Sequence, residues 1–437
     1  MRTRRTRWWA AILVALVGSM GAWGSALGAG GYEVWLIDQS DTRPGGGGGT
    51  ILIYEGAKLN GGGKNVSAQV VDLGGAAHDL CVAQTGSAPV RPHMVEFDPG
   101  HRYAILAYVA SGHVLFIEAA TRAPVTCIDV GVQAHAAFPS PDGAYVVVAN
   151  QNGKLLQRIA TNFATATFTL DDDATLDLAN GSTPTGALRQ DPVLRPDNAP
   201  ICPIVSNDSK LTFVTLRGGG LFVVDSTATP MAIIAEYDRG TVGPNGCGGL
   251  ETSGKMYITS GGGTAATPYA SDLYLCRIED YGPLPAAIAN QPAPDVIWNT
   301  IQPAVADAHG AVLTRDDRYL WVGDRAANSV RVVDTRTDAI VRDIPLAGPL
   351  SSDPAPDLFA IAPAGNRIFA ALRGPNPLTG NAPGVGNAVG ATPGLAVLNV
   401  TEGGANGRLH AVIPVTNVVE GVERADPHAV KVRRTGG

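Results

Sequence analysis

Four of the chain's eight histidines, His93, His135, His309 and His428, stand at one recurring place in the sequence. The first three each stand five positions before the first residue of a turn motif, DPGH, SPDG or TRDD, and the C-terminal segment DPHAVKV aligns on the same pattern at His428. The same count gives Asp357, Ile201 and Gly246 in the other units. Imidazole is the commonest transition-metal ligand, so four of them converging with the carboxylate of Asp357 would make a metal site, with copper or iron as its ion. Asp307 and Asp426 each precede a register histidine by two residues and would orient it. Two blander readings stay open. Each histidine was copied with its repeat and hydrogen-bonds to the next repeat's backbone, or the set lines a pocket for an organic ligand. His78, His101, His113 and His410 fall outside the register and read as surface or turn residues.

A second recurrence adds charge. Arg217, Arg325 and Arg373 stand in LRGGG, GDRAAN and LRGPN, with Asn150 at the comparable place in YVVVAN. An arginine rim over a histidine floor would hold an anionic or carboxylate-bearing ligand by bidentate pairing. Cys202 and Cys247 each follow a register position that lacks histidine. Side chains alternate along a strand, so the cysteines should point away from the ligand set, as a disulfide or as inert thiols.

The elements that must position these residues are strands. Residues 133–172 read as strand, SPDG turn, strand, QNG turn, strand and strand, with the β-branched run Val146, Val147 and Val148 in the second. The same grammar appears 42 residues upstream in RPHMVEFDPGHRYAILAYVASGHVLFIEAATRAPVTCIDVG. A period of that size, each unit one antiparallel sheet, is the sequence form of a β-propeller blade. Further units start at ICPIV, GCGGL, DAHGAV and PDLFAI. The N-terminus supplies YEVWLID, ILIYEG and NVSAQVVDL but no first strand, and DPHAVKVRR at the C-terminus is a first strand with nothing after it. Joined, they complete an all-β, seven-bladed propeller whose ring is closed by both chain ends. First strands line the central channel, which would bring the register residues to one mouth of it. The glycine-rich QSDTRPGGGGGT reads as a flexible connection, and residues 173–199 and 374–392 as polar or Gly/Pro-rich insertions rather than strands.

Composition agrees, with 54 Gly, 31 Pro and only 16% charged residues. A net charge of −7 without a basic stripe excludes a nucleic-acid partner. Residues 1–29 form an export signal, with the basic MRTRRTR, a short apolar run and SALGAG for cleavage, and residues 30–437 form one propeller domain. The mature chain is expected in the periplasm or secreted, with no membrane span. Five cysteines leave at least one thiol unpaired, and any disulfide is optional for a core this large. No GxSxG, HExxH, P-loop or dinucleotide fingerprint is present.

The repeats, SPDG-type turns followed by YVVVAN or RYLWVGD and then a strand ending in VVD, resemble the YVTN-type (YncE-like) β-propeller family. The resemblance covers almost the whole mature chain and implies the fold and export more than an activity. The chain is thus expected to bind a metal ion or small anion at the channel mouth. Alternatives are a copper- or iron-dependent oxidoreductase using the same site, and a non-catalytic scaffold that captures a protein partner through its insertions. Whether it is an enzyme stays open.

Overall fold

Seven four-stranded antiparallel sheets follow one another around a ring, as the repeat count requires. The structure, a computed structural model, describes residues 31–61, 66–261, 271–282, 291–300, 306–380 and 388–436. The export signal expected over residues 1–29 lies outside the described residues. Blade 1 joins the chain ends: Tyr32–Asp38 pairs on one side with Thr50–Glu55 and on the other with the C-terminal Pro427–Arg434. Blades 2 to 7 begin with inner strands Pro92–Phe97, Ala134–Pro139, Pro200–Val205, Gly249–Thr252, Ala308–Leu313 and Pro356–Ile361. Among the described residues no helix is long and apolar enough to cross a membrane.

Burial follows radial position. Second strands such as Tyr103–Tyr108, Tyr145–Asn150 and Leu211–Leu216 are buried at every residue, because neighbouring blades cover both faces. Hence their largely apolar sequences, without the alternation of a half-exposed strand. The outer strand Ala339–Pro345 buries only Ile344. Between first and second strands the turn recurs with one hydrogen-bond pattern. Ser140 Oγ donates to Asp142 Oδ1 at 2.6 Å and accepts from the Tyr145 N–H at 3.1 Å. Ser206 with Asp208 and Leu211, and Thr314 with Asp316 and Tyr319, repeat it. That side-chain clamp fixes the length of the turn, and so the distance from turn to register residue.

Three expectations need correction. The strand Thr167–Asp177 runs on into the segment read as insertion, because Ala174, Leu176 and Leu178 are buried against Val214, Phe222 and Val224 of blade 4. The acidic run Asp171–Asp173 hid that alternation. The glycine loop is a folded turn, with Gly45 to Gly49 all at positive φ and the Asp41 carboxylate accepting the Gly47 N–H at 2.7 Å. Its first residue, Gln39, is fully buried. Finally, an unforeseen helix, Ala76–Thr85, packs on the outer strand of blade 2 and is joined to it by a Cys81–Cys127 disulfide. Gly86 ends this helix at φ 80° with open space where a Cβ would stand. Gly86→Ala should therefore cost about 1 kcal/mol in urea unfolding, purely from backbone conformation.

Candidate functional site

Inner strands are not regular where the register residues sit. In blade 2, Pro92 pairs with Tyr108 and Met94 with Ala107, so His93 is the extra residue of a β-bulge. His135 between Ala134 and Ala136, and His428 between Pro427 and Ala429, are bulged in the same way. In blades 6, 7 and 4 the irregularity spans His309–Gly310, Asp357–Leu358 and Ile201–Cys202. A bulge re-aims a side chain away from the pleat. Here it turns His309, Asp357, His428, His93 and His135 toward one another.

Around the ring, blades 6, 7, 1, 2 and 3 therefore contribute His309, Asp357, His428, His93 and His135 in unbroken order. Asp357 of blade 7 closes the gap that otherwise separates His309 from the other histidines. His309 Nε2 lies 3.2 Å and His428 Nε2 3.8 Å from Asp357 Oδ1. The His428 and His93 rings stack at 3.7 Å between centroids, and His93 meets His135 edge-on at 4.6 Å. His93, His428 and Asp357 are buried almost completely, His309 is 6% exposed, and His135 is partly accessible.

Hydrogen bonds set the tautomers. His428 Nδ1 donates to the His93 carbonyl at 3.0 Å, which leaves its Nε2 lone pair facing Asp357. His93 Nδ1 donates to Gln39 Oε1 at 2.8 Å, and Gln39 Nε2 donates to Asp426 Oδ2 at 3.0 Å. His93 Nε2 is left buried without a hydrogen-bond partner, as are both ring nitrogens of His309 and Asp357 Oδ1. The 3.2 Å approach of His309 to Asp357 is thus a contact that is not aligned as a hydrogen bond.

Burial sets the charges. It disfavours imidazolium and pushes His428 down to about 3 and His135 to about 4, with His93 and His309 also well below the usual value. For Asp357 burial opposes ionisation, but the charge of the neighbouring groups overcomes it, imidazolium at His428 and His309 only in acid and the guanidiniums of Arg325 and Arg373 throughout, and holds the carboxyl below the usual range. Neutral imidazoles around an ionised carboxylate are the protonation states that metal ligation needs.

The arginine rim takes a different form from the one expected. Arg373 is fully buried, bonded through Nε and Nη2 to both oxygens of Asp426 at 2.6 and 2.9 Å, and through Nη1 to Asp357 Oδ2 at 2.7 Å. Arg325 pairs with Asp307 at 2.8 Å and reaches Asp357 Oδ2 at 3.5 Å. Both stand behind the ligand set and position it. Arg217 lies apart, paired with Asp197 at 2.6 Å and bonded to Asn152. Asn150 turns inward to bond the Val130 carbonyl and Gln157. Arg325 and Arg373 are buried and already paired with carboxylates of the protein, whereas Arg217 stays 39% exposed beside Asp197. Asp426 orients His93 through Gln39, and Asp307 acts on Arg325.

Cys202 and Cys247 form a disulfide, and their sulfurs come within 4.8 Å of a ring nitrogen of His135. The alternation rule that turned them away fails because Cys202 lies in the bulge of blade 4 and Cys247 precedes the short inner strand of blade 5. Outside the site, His113 is buried in a strand rather than exposed, held by Ser111, Thr85 and Ser87. His78 lies on the unforeseen helix and His410 on the outer strand of blade 7. Gln39 had no signal beyond its place after YEVWLID.

No family model matches the chain, and no curated protein is similar to it. Solved structures are similar across nearly its whole length. A protein from Lactobacillus plantarum aligns over 92% of this chain and 99% of its own, at 11% identity and a TM-score of 0.59. The periplasmic gluconolactonase of Pseudomonas aeruginosa aligns over the same shares at 13% identity and a TM-score of 0.55. At such identities the likeness is one of fold, and by that fold this chain is a seven-bladed β-propeller.

Proposed function

We propose that this protein is an exported propeller of the YVTN type that binds a divalent transition-metal ion in its channel through His309, His428 and Asp357. One observation carries the reading: ligand atoms of His309, His428 and Asp357 all lie within 4.8 Å of one another, and both ring nitrogens of His309 and Asp357 Oδ1 are buried with no hydrogen-bond partner. Leaving such groups unsatisfied costs about 1–3 kcal/mol each, which a coordinated cation would offset. Ligand atoms bound at about 2.1 Å to one ion stand about 3 Å apart, close to the 3.2 and 3.8 Å contacts seen here. Two imidazoles and a carboxylate, with no thiolate in the set, suit iron(II) better than copper(I). A cation is favoured over an anion because Arg325 and Arg373 are already neutralised by Asp307, Asp357 and Asp426.

Elemental analysis of protein recovered from the exported fraction tests this. Near-stoichiometric iron or copper is expected in the native chain and in H410A, and loss of it in H309A and H428A. Q39A should keep the ion but bind it about 10–100-fold more weakly, since Gln39 fixes the His93 ring that stacks on His428. Metal content unchanged by H309A and H428A would sink the proposal.

A further inference from the structure

We propose that Cys202, Cys247 and His135 form a second metal site, for zinc(II) or another soft thiolate-binding cation, that is closed by their disulfide and opened by reduction. It shares no ligand with His309, Asp357 and His428 and does not depend on that reading. The three residues come from consecutive blades, 3, 4 and 5, and their ligand atoms all lie within 4.8 Å of one another. Cys202 and Cys247 are buried at 0% and 3% exposure. A second observation points to a ligand: His135 Nδ1 is enclosed without a hydrogen-bond partner, although the residue as a whole is partly accessible. The other disulfide offers a contrast. Cys81–Cys127 pins a helix to the outside of blade 2, and among the described residues it belongs to no such ligand cluster.

The chemistry is exclusive by construction. A disulfide sulfur has no charge to offer and is a weak ligand, whereas a thiolate binds zinc or copper(I) strongly. Attack by a dithiol reductant transfers two electrons, breaks the S–S bond, leaves two protonated thiols and converts the reductant to its own disulfide. A divalent cation then displaces both thiol protons and gains two thiolates and the neutral His135 imidazole, leaving a position open for water or a further ligand. The bulge at Ile201–Cys202 has a role on this view, because a regular strand would point the sulfur away from the channel.

The full chain, stripped of metal, would be titrated anaerobically with cobalt(II) before and after treatment with a phosphine reductant. Cobalt bound only by nitrogen and oxygen at His309, Asp357 and His428 gives no thiolate charge-transfer band, so the two sites report separately. The oxidised protein should show no such band. The reduced protein should develop it with one equivalent of cobalt, keep it in the C81S/C127S variant, lose it in C202S, and need at least about tenfold more cobalt in H135A. Should a variant fail to fold, the unaltered chain still decides, because zinc should protect Cys202 and Cys247 from alkylation as read by peptide mass. Thiols released without a band or protection, a band that survives C202S, or a Cys202–Cys247 bond that cannot be reduced while the fold persists would each overturn the proposal.

Discussion

Replacing Arg373 with alanine is expected to lower the stability of the metal-free protein by roughly 3–5 kcal/mol, the loss that follows when one partner of a buried ion pair is removed. The reason lies in what the guanidinium leaves behind. Asp357 and Asp426 are both at 0% exposure, and Arg373 makes three bonds of 2.6 to 2.9 Å to their oxygens. Without it, among the described residues, Asp426 keeps the Gln39 amide and the Leu378 N–H, and Asp357 keeps the longer contact to Arg325. Arg373→Lys should recover little, since a single ammonium cannot bridge the two carboxylates that the planar fork joins. Arg217→Ala provides the comparison. Its pair with Asp197 is 39% and 37% exposed on the two side chains, so its loss should cost about 1 kcal/mol or less. Urea unfolding of the two variants side by side decides the point. Equal losses would mean that the buried network contributes no more than a surface pair.

The same network shows how far residue patterns alone reach. Blade number, ring closure and the common level of His93, His135, His309, His428 and Asp357 follow from the repeated turn spacing, which the Ser140–Asp142 clamp and its repeats at Ser206 and Thr314 fix in blades 3, 4 and 6. Chain order alone sets His309 apart from the other histidines; ring closure through blade 7 puts Asp357 in between. Direction was the less legible quantity. A period of two predicts where a side chain points only while the ladder is regular, and every register histidine lies where it is not. Cys202 was misjudged for that reason. Its neighbours carry a cue in retrospect: Pro92, Pro200, Pro356 and Pro427 each precede a bulged residue, and proline in a strand marks a bulge or an edge. The arginines were found in the right loops, but their partners Asp307, Asp357 and Asp426 come from other strands, and no local pattern announces a pairing across 53 residues such as Arg373 with Asp426. Charge was legible, its neutralisation was not.

Acidification should weaken the metal-free fold, and His428 should account for a measurable share of the slope. Its imidazole is pushed down to about 3 and that of His135 to about 4, while the unfolded chain titrates near 6.5. Between those values the unfolded state holds protons that the folded state refuses, so stability rises with pH there. The contribution is complete above about pH 6.5 and is lost as pH falls through the folded values. Each such histidine gives a slope on the order of 1.4 kcal/mol per pH unit. Asp357, held below the usual carboxylate range, acts in the same sense at lower pH, whereas the other buried carboxyls act in the opposite one. Burial raises Asp38 and Asp307 to about 6, so between the unfolded carboxylate value and 6 they favour the folded state as protons bind, and Glu96 and Asp324 shift the same way. The total curve mixes the two signs, and a difference separates them. Unfolding free energies of the native chain and of His428→Asn, measured in chelator from pH 6.5 to 4.5, should diverge, with the native chain losing about 1.4 kcal/mol more per unit of acidification. Parallel curves would mean that His428 is already protonated in the folded state, with imidazolium rather than a lone pair facing Asp357, and a ring in that form could not receive a metal ion.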